Sequence, residues 1–102
     1  MIEITPVLVL QQRFLGIQMY LPKCTMHVLF NMNLIILDQH FDLNAIEKKC
    51  PVPVIQCTSI SFDSMLNQNI MKSSDKAVEY GITDAMSVKE AIACIFLQKE
   101  TS

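Results

Sequence analysis

The sequence has few charged residues and no cluster of basic ones. Asp, Glu, Lys and Arg make up 18% of its 102 residues, and the formal net charge is -2. Because proteins bind nucleic acid largely by neutralising phosphates with Lys and Arg, we expect no nucleic-acid partner. Hydrophobic residues make up 51% of the chain. A chain this apolar is not disordered, because it can fill a hydrophobic core.

Long apolar runs are also absent. Gln11, Gln12 and Arg13 interrupt the apolar N-terminal region, and a membrane-spanning helix needs about 20 predominantly apolar residues. The same interruption, with Glu3 near the start and no basic segment before it, argues against a signal peptide. We therefore expect no membrane partner and a cytoplasmic location.

Closely spaced cysteines are missing as well. Cys24, Cys50, Cys57 and Cys94 lie far apart, which fits neither a dense disulfide framework nor a Cys-x-x-Cys zinc or redox motif. We predict four reduced thiols, as expected inside the cell.

The length and the charge distribution predict one domain, spanning residues 1–102, with its strands first and its helices later. Before Asp38 the only charged residues are Glu3, Arg13 and Lys23. Alternating and continuous apolar patterns predict strands at residues 2–10, 14–21, 26–30, 34–37 and 54–60. Pro6 places the first strand at a sheet edge or a bulge, because proline donates no ladder hydrogen bond. The continuous run at 34–37 predicts a central strand that is covered by helices.

Capping residues indicate where the helices begin. Asp42 can cap a short helix at 43–49, and two short helices are predicted between Ser61 and Gly81. Ser87 and Glu90 form a capping box before the last helix. The order predicts an α+β fold, with a mainly antiparallel or mixed sheet of about five strands and three to four helices packed on it.

Short motifs in a characteristic order run along nearly the whole chain. They are Thr5-Pro6, Leu21-Pro22-Lys23, Asp42 after an apolar strand, Gly81-Ile82, Met86 and Glu90-Ala91. In these motifs the chain resembles the YunC-like family of small bacterial and archaeal proteins. The resemblance implies an α+β fold and supplies no chemistry, because that family is a domain of unknown function.

The chain departs from that family at two places. The family tends to carry a Cys-Gly pair where this chain has Asp38 and Gln39, and a glycine-and-arginine segment where it has Pro53-Val54-Ile55-Gln56. Any site that those groups form in relatives is altered here, so no catalytic residue carries over.

The candidate site is the set Asp38, His40 and Asp42. In an extended strand, residues at i, i+2 and i+4 point to the same face, so two carboxylates and an imidazole can bind a divalent metal or act as an acid and base. Alternatively, the polar alternation marks where a buried strand reaches solvent, and Asp42 caps the following helix.

A second candidate is the Cys-x-x-His pair of Cys24 and His27. It offers half a zinc site, or a nucleophile with its base. Residues at i and i+3 of a strand lie on opposite faces, so the pair converges only if the chain turns at Cys24. Otherwise the two are a loop cysteine and a strand histidine. Cys50, beside Pro51, is a candidate reactive thiol.

The apolar composition predicts self-association. A domain this small has a large surface for its core, so part of its apolar surface stays exposed, and an unpaired edge strand at 2–10 is a natural interface. We expect a non-catalytic binding or assembly module that acts as a homo-oligomer, most simply a dimer. The alternative is a small metal- or thiol-dependent enzyme that uses Asp38, His40 and Asp42, with Cys24 or Cys50 nearby. A divalent metal is the one cofactor that the residues suggest, and they do not identify a small-molecule ligand.

Overall fold

The computed structural model describes the backbone of residues 1–101 and the side chains of residues 1–97. In chain order the elements are β1 (Ile2–Val9), β2 (Gln12–Leu21), β3 (Cys24–Phe30), β4 (Ile35–Leu37), α1 (Leu43–Glu47), β5 (Val54–Gln56), α2 (Phe62–Asn67), β6 (Lys72–Ser73), α3 (Asp75–Glu79) and α4 (Val88–Thr101). None of these helices has the length and apolar composition that crossing a membrane requires.

The six strands form one mixed sheet in the order β1-β2-β3-β4-β5-β6. Neighbouring strands are antiparallel, except that β4 and β5 run parallel and are connected through α1. The predicted α+β fold with a mixed sheet and up to four helices is confirmed, with one strand more than the expected five.

The first hairpin turns at the end of the segment that was predicted as the first strand. The strands predicted at 2–10 and 14–21 leave residues 11–13 for the connection, but the turn lies at Leu10 and Gln11, whose φ angles are 50° and 65°. Positive φ at both central residues gives the backbone twist that two-residue hairpins need. Gln12 is therefore free to pair with Val9 as the first residue of β2.

The predicted strand at 54–60 is wrong beyond its third residue. β5 ends at Gln56 because its parallel neighbour β4 ends at Leu37, whose carbonyl accepts the N–H of Cys57 as the last ladder bond. On its other side β5 pairs with β6, a two-residue strand that the sequence analysis missed. A strand that short shows no alternation to detect.

The predicted caps are confirmed. The Asp42 carboxylate caps α1, which ends at Glu47, two residues before the predicted end. Both short helices between Ser61 and Gly81 are present, as α2 and α3. At the start of α4, Ser87 N–H donates to Glu90 Oε1 and Glu90 N–H donates to Ser87 Oγ, each at 3.2 Å, which is the predicted capping box.

The helices cover the two faces of the sheet unequally. One face carries a large core that is completed by the helices following β5 and includes Leu29, Ile36, Ile55 and Ile92. On the other face a smaller cluster forms where α1 packs Leu43 against Leu37 and Val54. That cluster covers β4 and β5 and includes the partly buried Val28 of β3. It leaves the same face of β1, β2 and the rest of β3 largely open.

Candidate functional site

Asp38 is the centre of a buried polar cluster at the carboxyl end of β4. Its side chain is fully buried. Oδ2 accepts the backbone N–H of His27 at 2.6 Å, and Oδ1 accepts the backbone N–H of His40 at 2.9 Å. A buried carboxylate is costly unless hydrogen bonds satisfy it, and bonds from N–H groups to a carboxylate are among the stronger ones. The two backbone donors therefore hold the carboxylate in one orientation.

The His40 imidazole contacts the same carboxylate. Its Nδ1 lies 3.1 Å from Asp38 Oδ2, and its side chain is 34% exposed. An ionised carboxylate can only accept hydrogen bonds, so this contact requires the ring hydrogen to be on Nδ1. The neutral ring then keeps a lone pair on Nε2, on the side of the ring away from Asp38.

His27, from β3, lies beside the same carboxylate. Its Nδ1 is 3.7 Å from Asp38 Oδ2, which is too far for a hydrogen bond. The side chain is 1% exposed, and neither ring nitrogen has a hydrogen-bond partner. Its ring and the Phe62 ring form a T-shaped contact, with the centroids 5.3 Å apart. Burying an unsatisfied polar atom costs about 1–3 kcal/mol, so His27 adds polarity here at the expense of stability.

Two glutamines brace the loop that carries Asp38 and His40. Gln56 Nε2 donates to the carbonyl oxygens of Asp38, at 2.9 Å, and Phe41, at 2.6 Å. Gln39 exchanges two hydrogen bonds with the backbone of Ser59, accepting from its N–H at 2.9 Å and donating to its carbonyl at 3.4 Å. The loop is thereby tied both to β5 and to the segment that follows β5.

In the structure Asp38 and His40 are in contact, and Asp42 is not part of their cluster. The chain turns directly after Leu37, so the extended backbone that would align the three side chains is absent. Asp42 Oδ1 instead accepts the N–H groups of Asn44 and Ala45 as the cap of α1. Across residues 1–97, no group of three or more His, Cys, Asp or Glu side chains is arranged to hold a metal ion.

Cys24 lies apart from the cluster. It is the first residue of β3, where it pairs with Leu21. Because the chain is already extended at Cys24, its side chain and that of His27 point to opposite faces of the sheet. The Cys-x-x-His spacing is therefore not a site.

The association of His27 and Gln56 with Asp38 was not predicted from the sequence. His27 is 11 residues and Gln56 is 18 residues from Asp38, and both meet it only through strand pairing. One signal was present in the sequence: an aspartate that directly follows a continuous apolar strand needs buried partners.

A second candidate surface is the uncovered side of β1, β2 and β3, which we call the open face. The strand register places the following residues on it: Ile2, Ile4, Pro6, Leu8, Arg13, Leu15, Ile17, Met19, Leu21, Cys24, Met26, Val28 and Phe30. Ile2, Ile4 and Leu8 are 62%, 61% and 70% exposed. Exposed apolar residues this close together form a patch of the kind that marks interaction sites.

The edge of the sheet beside this face is interrupted by Pro6. Tyr20 N–H donates to the Met1 carbonyl, so Met1 and every second residue after it bond to β2, and the even-numbered residues direct their backbone groups to the free edge. Pro6 has no N–H, so it removes a donor near the middle of that edge. Missing donors and prolines disfavour pairing of an edge strand with another chain.

Cys57 is an unreactive thiol. Burial, and secondly the negative charge of Asp38, raise the pKa of Cys57 to about 12. Near neutral pH we expect Cys57 to resist iodoacetamide in the native protein and to react in urea, while the half-buried Cys24 and Cys50 react without denaturant. Mass spectrometry of the labelled peptides measures this, and native labelling of Cys57 as fast as Cys50 would contradict it.

The same pKa shift predicts alkaline sensitivity. The folded protein keeps the Cys57 proton after the unfolded chain, whose thiol has a pKa of 9.0, has lost it. Unfolding then releases a proton, so the free energy of unfolding decreases as the pH rises from 9.0 towards about 12. Urea titrations of the wild type and of Cys57→Val at several alkaline pH values test this. The unfolding free energy of the wild type must decrease relative to that of Cys57→Val as the pH rises across that range.

Comparisons with known proteins identify the fold. No protein-family model matches the chain, and no curated protein matches it either. Among solved structures, the crystal structure of TA1206, a protein of unknown function from Thermoplasma acidophilum, is similar with a TM-score of 0.82. The match covers 93% of each chain at 12% sequence identity. The two chains share a fold, and the similarity carries no information about activity.

Proposed function

We propose that this protein is a self-associating assembly module, in which two copies pack their open faces together as a homodimer. The observation that carries the proposal is the open face itself. It is apolar at every position except Arg13, and no helix of the described chain covers it over β1 and β2.

The size of the open face sets how far a dimer interface must extend. β1 has eight residues, and strands rise about 3.3 Å per residue and lie about 4.8 Å apart, so three strands give a face of about 26 Å by about 14 Å, a flat area of about 360 Å². Each partner in a stable complex loses about 800 Å² of accessible surface, so the interface must also include the surface of the projecting side chains and of the rim.

The charge of the open face favours a second copy over a charged partner. Each copy has a net charge of -2, but none of the acidic residues lies on the open face. Two copies can therefore approach through it without repulsion between carboxylates. The burial of apolar area then drives association.

The free edge of β1 also favours face-to-face packing over pairing of two β1 edges. A continuous sheet across two β1 strands would need an unbroken row of donors, and Pro6 interrupts that row. Packing of two sheet faces needs only apolar side chains, which the open face supplies.

Size-exclusion chromatography with light scattering tests the proposal. We expect the wild type to have twice the 11.6 kDa mass of the chain, and Ile4→Glu to be monomeric, because a dimer would bury that carboxylate in an apolar interface. Ile4 lies directly opposite Ile17 in the sheet, so Ile17→Glu should have the same effect.

Ile60→Glu is the matched control. Ile60 is 85% exposed and lies in the loop after β5, away from the open face, so this variant should remain a dimer. A monomeric wild type at about 100 μM, a concentration at which a dimer of useful affinity is populated, would overturn the proposal. So would an Ile4→Glu variant that remains a dimer.

A further inference from the structure

We propose that Asp38 and His40 form a proton-transfer dyad. Nε2 of His40 accepts and returns the proton, and the substrate is a neutral acyl ester that is hydrolysed by water. The dyad contains no residue of the open face. It is a further activity, independent of whether the protein dimerises.

The hydrogen bonds orient the imidazole as a general base requires. His40 is held at two points, because its backbone N–H bonds to Asp38 Oδ1 and its Nδ1 contacts Asp38 Oδ2. A carboxylate on Nδ1 selects the tautomer in which Nε2 accepts a proton, and it stabilises the imidazolium that forms. Asp38 is therefore a positioning residue, and His40 is the residue that meets the substrate.

The loop is fixed before any substrate arrives. Gln56 binds two of its carbonyl groups, and Gln39 ties it to Ser59. A catalytic side chain contributes most when neighbouring residues already hold it in place. These side-chain hydrogen bonds come in addition to the backbone bonds that close a surface turn.

The position in the fold is one where α/β proteins place their sites. Asp38 follows β4 directly, and Cys57 follows β5 directly, so the dyad lies at the carboxyl ends of the parallel pair. In open α/β sheets, ligands bind outside the carboxyl ends of the parallel strands.

His27 is a second, independent indication of a site. Its imidazole is buried beside Asp38 with both nitrogens unpartnered. A purely structural position at this depth would cost less with an apolar residue. Such a group, facing the carboxylate that holds His40, belongs to a polar site rather than to a core.

The surroundings favour a neutral, apolar substrate. In the described part of the chain, the ion-pair contacts of the Asp38 carboxylate are to the two histidines, with no lysine or arginine among them. An anionic substrate would therefore find no compensating cation beside the dyad. Gln39 joins the His40 loop to the segment that carries the exposed, apolar Ile60.

The reaction balances with water as the second reactant. His40 Nε2 takes a proton from water while the water oxygen bonds to the ester carbonyl carbon. The tetrahedral species then breaks its bond to the alkoxy oxygen, which leaves as an alcohol with the proton from the imidazolium. The products are a carboxylic acid and an alcohol, and His40 returns to its neutral form.

Hydrolysis of p-nitrophenyl acetate by the full chain tests the proposal. The chain has two histidines and His27 is buried, so His40→Gln removes the accessible imidazole. We expect His40→Gln to lower the rate at least about tenfold, since general base catalysis typically contributes more than that. Asp42→Asn, which changes an exposed carboxylate nearby, should leave the rate unchanged. Equal rates for the wild type and His40→Gln would overturn the proposal.

Two further measurements distinguish a positioning role of Asp38 from a purely structural one. Long-range ¹H–¹⁵N spectra of the wild type should show the neutral His40 ring with its hydrogen on Nδ1, and a hydrogen on Nε2 would overturn the dyad without reference to activity. In Asp38→Asn the ester rate should fall and the ring hydrogen of His40 should no longer be held on Nδ1, because the carboxylate that selects this tautomer is gone. A folded Asp38→Asn with an unchanged rate would also overturn it, and if that variant does not fold, the tautomer in the wild type decides.

Discussion

Replacing Asp38 with alanine is expected to destabilise the domain by about 1–3 kcal/mol, the cost of leaving a buried N–H group without its acceptor. The substitution leaves the buried N–H of His27 without an acceptor and releases the N–H and ring of His40. A domain of this size is stable by only about 5–15 kcal/mol, so the loss is a large fraction of the total.

Urea denaturation followed by circular dichroism measures this effect. Protein concentration must be held fixed, because dimerisation would make the stability depend on it. Asp42→Ala is the matched control, since it removes an exposed carboxylate that only caps α1 and should cost about 1 kcal/mol. An Asp38→Ala loss no larger than that of Asp42→Ala would show that the buried network contributes little.

Replacing Gly16 with valine is expected to cost about 1–3 kcal/mol, because β2 and α2 touch at this residue. A Cβ atom on Gly16 would lie 2.7 Å from Cζ of Phe62 and 3.0 Å from Cε1 and Cε2. The ring must then move, and it also packs edge-on against the His27 imidazole. We therefore expect the substitution to disturb the polar cluster as well as the helix.

A double-mutant cycle isolates that contact. Phe62→Ala removes the ring and leaves room for the new side chain, so Gly16→Val should cost less in the Phe62→Ala background than in the wild type. Gln18→Val, on the same face of β2 and two residues further on, controls for placing a β-branched residue in this strand. Strictly additive effects of Gly16→Val and Phe62→Ala would contradict the close approach.

Local patterns in the sequence were reliable where neighbouring residues decide the outcome. Alternation predicted β2 and β3, β-branched residues predicted β1, and Pro6 limited β1 to an edge or a bulge, because side-chain direction, branching and the missing N–H are properties of the residues themselves. The Asp42 cap and the Ser87–Glu90 box were predicted for the same reason, since each bond spans three residues or fewer.

The predictions failed where a partner strand decides the outcome. β5 looked like a longer strand, but it stops where β4 stops, and β6 exists only because β5 offers it an edge. The candidate site changed for a similar reason. Asp38, His40 and Asp42 share a face only on extended backbone, and the chain turns once it has passed its last partner at Leu37.

The sequence by itself determined the α+β class, the restriction of β1 to an edge or a bulge, the helix caps and the presence of more apolar residues than a small core can hide. Only the tertiary structure decided that His27 and Gln56 meet Asp38, that Asp42 does not, and that the exposed Ile2, Ile4, Leu8, Leu15 and Leu21 share one open face. The physical reason is distance along the chain. Contacts between strands depend on register and on the direction of each connection, and a pattern within a few residues encodes neither.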